Sequence, residues 1–167
     1  MRLGFNIPRP NGKREVITKY QTASDIIKQL RRAELESRNT SKKIAPFFKS
    51  KSDFETCKKV WEFLRKHIEY EAEPKHDQTA KTINRFIVDR KGDCKHFATA
   101  SVGILIANKI PAWFVLVGQQ KLNPSPNHAY CCALVNNEIV VIDPCRKKFN
   151  SECNFYWKYQ YGPKKNK

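Results

Sequence analysis

A chain of 167 residues is long enough to bury one substantial core without disulfide staples and too short to hold several domains. No apolar run reaches the roughly 18 residues of a membrane-spanning helix, and MRLGFNIPRPNGKRE at the N-terminus lacks the apolar stretch of a secretory signal. The expectation is a soluble cytoplasmic protein with no membrane partner, a location compatible with packaging into a larger assembly such as a virion. The net charge of +16 favours anionic partners, nucleic acid among them, but the basic residues are scattered and only the tail PKKNK resembles a basic arm.

In chain order, residues 1–15 carry Pro8, Pro10 and Gly12 and read as an extended arm with a turn, followed by a short strand at Val16–Tyr20. From Ser24 to Arg38 the positions Ile26, Ile27, Leu30, Ala33 and Leu35 form a helical stripe, which the segment SKKIAPFFKSK then breaks as a linker. Ser52 with Glu55 three residues on signals a capped helix start, and Phe54, Cys57, Trp61, Leu64 and Ile68 follow at spacings of three and four, the core face of a second helix. Beyond Pro74, Thr79–Val88 is predicted as a short helix. The segment CKHFATASVGILIANKI, rich in small and apolar residues, is predicted as a buried helix that begins at Cys94 and ends before Pro111. AWFVLVG, HAYCCALV and EIVVID read as strands, and FYWKYQY alternates as a closing one. Helices first and an antiparallel sheet afterwards predict an α+β domain, with residues 1–50 as a basic arm and helix packed on the unit of residues 51–167.

The six cysteines, Cys57, Cys94, Cys131, Cys132, Cys145 and Cys153, are read as free thiols. None forms a C-x-x-C pair, and Cys131 and Cys132 on a strand face opposite ways, so no zinc site, other metal or cofactor is expected. Cys94 stands apart because of its position. Asp93 suits an N-cap and Gly92 a sharp turn into the helix, so GDC presents a thiol at the positive end of a helix, where it ionises more readily.

A nucleophilic thiol wants a histidine as base and counter-ion. His96 follows Cys94 by two residues on one helix and cannot face it, while His67 and His76 lie in charged or polar surroundings. His128 opens a strand directly after NPSPN, at the kind of strand end where loops leave room for a site. If Asn136-Asn137 is a two-residue hairpin turn, Val135 faces Glu138 and the same register sets His128 opposite Cys145. Asp143 then shares the face of His128 on the diagonal, at roughly 7–8 Å between backbones, a gap two side chains can bridge. Pro144 holds Asp143 extended at the end of an apolar strand, and an acid there needs a partner.

The elements HIEYEAEP, KGDCKHFATASVGILIANKIPAWFVLV and NHAYCCALVNNEIVVIDPC, in that order over roughly residues 55–145, resemble the transglutaminase-like superfamily of papain-like thiol enzymes. The resemblance implies a papain-like, transglutaminase-like core, and places the nucleophile at Cys94, its base at His128 and the orienting acid at Asp143, the three residues that the spacing also selects. Relatives often read Cys-Asp-Asp and His-Ala-Trp, where this chain holds Lys95, His96 and Tyr130, a change expected at the rim of the site. The expected activity is cleavage of a peptide or protein amide through an acyl-thioester, with hydrolysis favoured over transfer because nothing in the sequence supplies an amine tunnel or a calcium loop. The Cys94 N–H is the first oxyanion donor and Gln78 a candidate second. The alternative is a catalytically silent module of the same fold that holds nucleic acid through its charge and the FYWKYQY stripe.

Overall fold

Thr22 and Asp25 cap each other reciprocally, and this box opens helix α1, Ala23–Glu36, in a computed structural model that describes Phe5, Ile7 and residues 15–17, 22–74 and 78–161. Most of the proline-bearing arm, His76 and the PKKNK tail fall outside the described residues. Strand β1 is Glu15–Ile17, within the predicted Val16–Tyr20 except for its first residue. Ile27, Leu30 and Ala33 form the buried stripe of α1, whereas Leu35 is half exposed.

The segment read as a linker is in fact a helix, α2, Arg38–Phe48. Its buried residues Thr40, Ser41, Ile44, Ala45 and Phe48 follow helical spacing, and burial against α5 outweighs the interruption at Pro46. The proline sits two residues before the end, so it removes little of the ladder. The last carbonyls are taken up from other helices: Asn108 Nδ2 donates to Ala45 O at 3.1 Å, and Lys59 Nζ donates to Phe47 O.

Ser52 accepts from the Glu55 N–H at 3.2 Å and starts α3, Asp53–His67, as its sequence signals. Cys57, Trp61, Leu64 and Ile68 are buried as expected, but Phe54 is exposed, with its ring in edge contact with Phe149. Strand β2, Glu69–Tyr70, follows. Residues Thr79 and Ala80 belong to a strand, β3 (Gln78–Ala80), paired with β1, so the predicted short helix starts later, as α4 (Ile83–Asp89). Strand β4, Lys91–Gly92, runs parallel to β2 and leads into α5, Cys94–Ala107.

Every residue of α5 from Cys94 to Leu105 is buried, as the even apolarity of the segment requires. Gly103 has no room for a side chain: a Cβ there would lie 2.5 Å from Ile83 Cδ1 and 2.9 Å from Ser41 Oγ, so α2 and α4 approach the backbone of α5 closely. One face of α5 covers an antiparallel sheet built from β5 (Ala112–Gly118), β6 (His128–Val135), β7 (Glu138–Ile142) and β8 (Trp157–Gln160) in the order β7-β6-β5-β8. Asn136 and Asn137 have φ of 50° and 63°, the left-handed pair that a tight hairpin turn needs, and Val135 faces Glu138 as predicted. Cys131 points to the core under α5 and Cys132 to a second cluster on the far face with Trp113, Val117 and Tyr130. Among the described residues no helix is long and apolar enough to cross a membrane.

Candidate active site

Helix α5 begins in a buried polar lattice. Asp93 Oδ1 accepts from the Lys95 N–H at 3.1 Å, and the Asp93 N–H donates to His96 Nδ1 at 3.1 Å, the two halves of a capping box in which histidine takes the place usual for glutamate. His96 Nε2 in turn donates to Thr79 O at 3.1 Å. Burial alone would raise the Asp93 pKa, but the hydrogen bonds and charges of His96 and Lys95 outweigh it and hold the carboxyl at about 2. Asp93 is thus the N-cap that the sequence predicts. Gly92 serves differently: its backbone is extended in β4, and glycine is required because a Cβ would lie 2.8 Å from the Phe86 ring and 2.9 Å from His96 Nδ1.

The cap leaves Cys94 as the first residue of the helix, where its N–H has no intrahelical partner. Across from it, His128 Nε2 donates to Asp143 Oδ2 at 2.7 Å, and the ring lines the same cavity as the Cys94 side chain. With Nε2 on the carboxylate, Nδ1 is the ring nitrogen left for a second partner. Burial lowers the His128 pKa, yet Asp143 and then Cys94 outweigh burial and push it up to about 10. The charged imidazolium is the favoured form of this ring.

Asp143 is itself fastened from three sides. Its Oδ1 accepts from the Cys145 N–H at 3.1 Å, and its carbonyl accepts from Trp61 Nε1 at 2.9 Å and from the Arg146 N–H at 3.0 Å. Arg65 of α3 donates to the Arg146 carbonyl at 3.0 Å, so α3 holds the turn after β7 at two points. The Cys145 thiol is raised well above the ordinary range, by burial first and then by the Asp143 charge. The buried Cys57 and Cys132 thiols are pushed up to about 12, in both cases chiefly by burial. All six cysteines are free.

Cys94 and His128 open onto a cavity of about 220 Å³, with Tyr70, Glu73 and Lys95 on one wall and Leu116, Pro126 and Asn127 on another. Although only 8% of Cys94 is exposed, that surface faces the cavity. The three residues singled out by spacing therefore lie together, and the prediction that His96 faces away from Cys94 holds. Of the residues expected at the rim, Lys95 lines the cavity, whereas His96 is buried behind the helix tip and Tyr130 is buried on the far face of the sheet, its ring stacked on His128 and its hydroxyl on Glu152. The side chain of Gln78 is not among those described.

Sequence reasoning missed the network behind Cys94. Lys95 Nζ contacts Asp93 Oδ2 and stands 3.8 Å from Glu73 Oε2, and Glu73 accepts from the Thr79 N–H at 2.6 Å and from its hydroxyl. Asp-x-x-His as a variant capping box was the one local signal available. Glu73, Asp93 and His96 bring ligand atoms within 4.8 Å of one another and could in principle hold a metal ion, but the Lys95 ammonium already neutralises their oxygens.

Residues 39–144 match the transglutaminase-like superfamily, while no curated protein matches the chain. Among solved structures the chain is similar to a candidate protease from Parabacteroides distasonis ATCC 8503, with 18% identity and a TM-score of 0.61 over 74% of this chain and 27% of that one. It is also similar to a candidate cysteine protease from Cytophaga hutchinsonii, with 21% identity and a TM-score of 0.54 over 79% of this chain and 46% of that one. EGTA-treated LapG of Legionella pneumophila shares 22% identity with a TM-score of 0.51, over 80% and 74% of the two chains. The chain spans less than half the length of the first two, and at these identities the shared property is the fold.

Proposed function

The chain belongs to the transglutaminase-like superfamily, and from that premise we propose that it acts on amide bonds of peptide or protein substrates, with Cys94 as nucleophile, His128 as base and acid, and Asp143 as the group that orients His128. The observation that carries the reading is that His128, held by Asp143 at 2.7 Å, lines one cavity with the Cys94 thiol at the tip of α5.

As the reaction begins, the Cys94 thiol gives its proton to His128 Nδ1. The Cys94 thiolate attacks the substrate carbonyl carbon, a C–S bond forms, and the carbonyl π electrons move to an oxyanion facing the Cys94 N–H. The oxyanion collapses, the C–N bond breaks, and the Nδ1 proton leaves with the amine. His128 then takes a proton from water, which attacks the thioester and releases the acid and the thiolate. Asp143 keeps the ring in one tautomer and stabilises its charge throughout. Hydrolysis is favoured over transfer because the sequence supplies no evident amine tunnel and no calcium loop.

Iodoacetamide at near-neutral pH tests the assignment: labelling concentrates on Cys94 over the other five thiols and is lost in His128→Ala. Uniform labelling, or labelling indifferent to His128, sinks it. Substrates are then found by trapping on Cys94→Ala and mass spectrometry. A second reading, an inactive module that holds nucleic acid, draws on Phe155, Tyr156 and Trp157, all exposed beside Lys158, and on the charge of +16. Salt-sensitive retention on DNA together with an unreactive Cys94 favours that alternative.

A further inference from the structure

We infer that the Tyr70 hydroxyl is the second oxyanion donor, closing on the developing negative oxygen from the side opposite the Cys94 N–H. The inference rests on the reading of Cys94 as nucleophile.

Four observations lead to it. First, Tyr70 is held beside the helix tip: it pairs with Gly92 in the β2–β4 ladder, clamped by Glu69 N–H to Arg90 O at 2.8 Å and Glu71 N–H to Gly92 O at 2.9 Å. Second, its ring is stacked on Phe97, one turn along α5 from Cys94, at 6.4 Å between centroids and 19° between planes. This contact fixes the direction of the phenol. Third, Tyr70 lines the cavity that Cys94 and His128 share, while 52% of the residue faces solvent, so it forms part of the mouth. Fourth, the hydroxyl is hydrogen-bonded to none of the described residues, which leaves its proton free for a ligand.

Of the other polar side chains around the cavity, His128 serves Asp143 and Lys95 serves Asp93 and Glu73, while Asn127 accepts through Oδ1 from the Gln119 N–H at 2.9 Å and keeps its Nδ2 as the rival donor. Tyr70 also remains a donor at any pH at which the thiolate works. Burial first, and then the negative charges of Cys94 and its neighbours, push its pKa up to about 12.

The test compares two reactions of the same thiol in the full chain. Acylation by p-nitrophenyl acetate forms the S–C bond through a tetrahedral oxyanion and expels p-nitrophenolate, whereas alkylation by iodoacetamide displaces iodide with no oxyanion. Tyr70→Phe keeps the ring on Phe97 and removes only the donor. The expected result is a roughly 10- to 100-fold slower acylation, alkylation within twofold of wild type and an unchanged thermal midpoint. Equal loss in both reactions would mean that Tyr70 only positions the thiol, and no loss in either would mean that it donates nothing; each overturns the inference. A selective loss in Asn127→Ala instead assigns the donor there and overturns it too. Wild-type Cys94 that is neither acylated nor alkylated faster than Cys57 removes the nucleophile itself, and with it the reading on which this one stands.

Discussion

The indole Nε1–H of Trp61 donates to the backbone carbonyl of Asp143 at 2.9 Å, joining α3 to the acid that holds His128 across 82 positions of sequence. The same carbonyl also takes the Arg146 N–H, so loss of the indole bond does not leave it orphaned. Trp61→Phe should therefore cost only about 1 kcal/mol in urea unfolding. The effect on Cys94 alkylation should be larger, roughly tenfold slower, because Asp143 loses an anchor. A variant that loses stability but keeps full thiol reactivity shows that this anchor plays no part in the site.

His128 links stability to pH. Its pKa is about 10 in the folded protein against an ordinary 6.5, burial being outweighed by Asp143 and Cys94. A raised value means that the protonated ring favours the fold, fully below pH 6.5 and progressively less as pH climbs through about 10. The gap in thermal midpoint between wild type and His128→Gln should accordingly be widest at pH 6 and narrow toward pH 10. A gap that grows with pH contradicts the ion-pair geometry.

Lys95 is the cation of a buried cluster that contains Asp93 and Glu73. Lys95→Met preserves the length of the stem and strands the two carboxylates, so the fold should lose about 3 kcal/mol at pH 7. Replacing Glu73 by Gln on the same background removes one of the stranded charges and should recover part of that loss. Chemical denaturation of the single and double variants at pH 7 checks both the size and the recovery; no recovery in the double variant excludes the electrostatic cause.

Gly92 is needed for space. In Gly92→Ala the new methyl meets the Phe86 ring at 2.8 Å and His96 Nδ1 at 2.9 Å. The expected cost is about 1–3 kcal/mol, with slower alkylation of Cys94 because His96 caps the helix that presents the thiol. Phe86→Leu on the same background frees part of that space and should restore some of both properties. Failure of the double variant to recover either places the requirement in the backbone.

What the sequence by itself determined is local. Caps at Ser52 and Asp93, the helical stripe through Cys57, Trp61 and Leu64, and the Asn136-Asn137 hairpin are all encoded within a few residues, where hydrogen bonds and backbone preferences act directly. The hairpin is the most consequential, because a two-residue turn fixes the register and thereby carries His128 and Asp143 to a common face. Tertiary structure decided what proximity along the chain cannot express. SKKIAPFF is helical because Ile44, Ala45 and Phe48 are buried against other helices, a gain its own polar and proline-bearing sequence does not announce. Tyr70, Glu73 and Trp61 reach the site from separate elements, and only folding sets Tyr70 on Phe97, Glu73 beside Lys95 and Trp61 on the Asp143 carbonyl. Short-range geometry is written in spacing, whereas these longer contacts exist only once burial of the core has offset the entropy of bringing distant segments together.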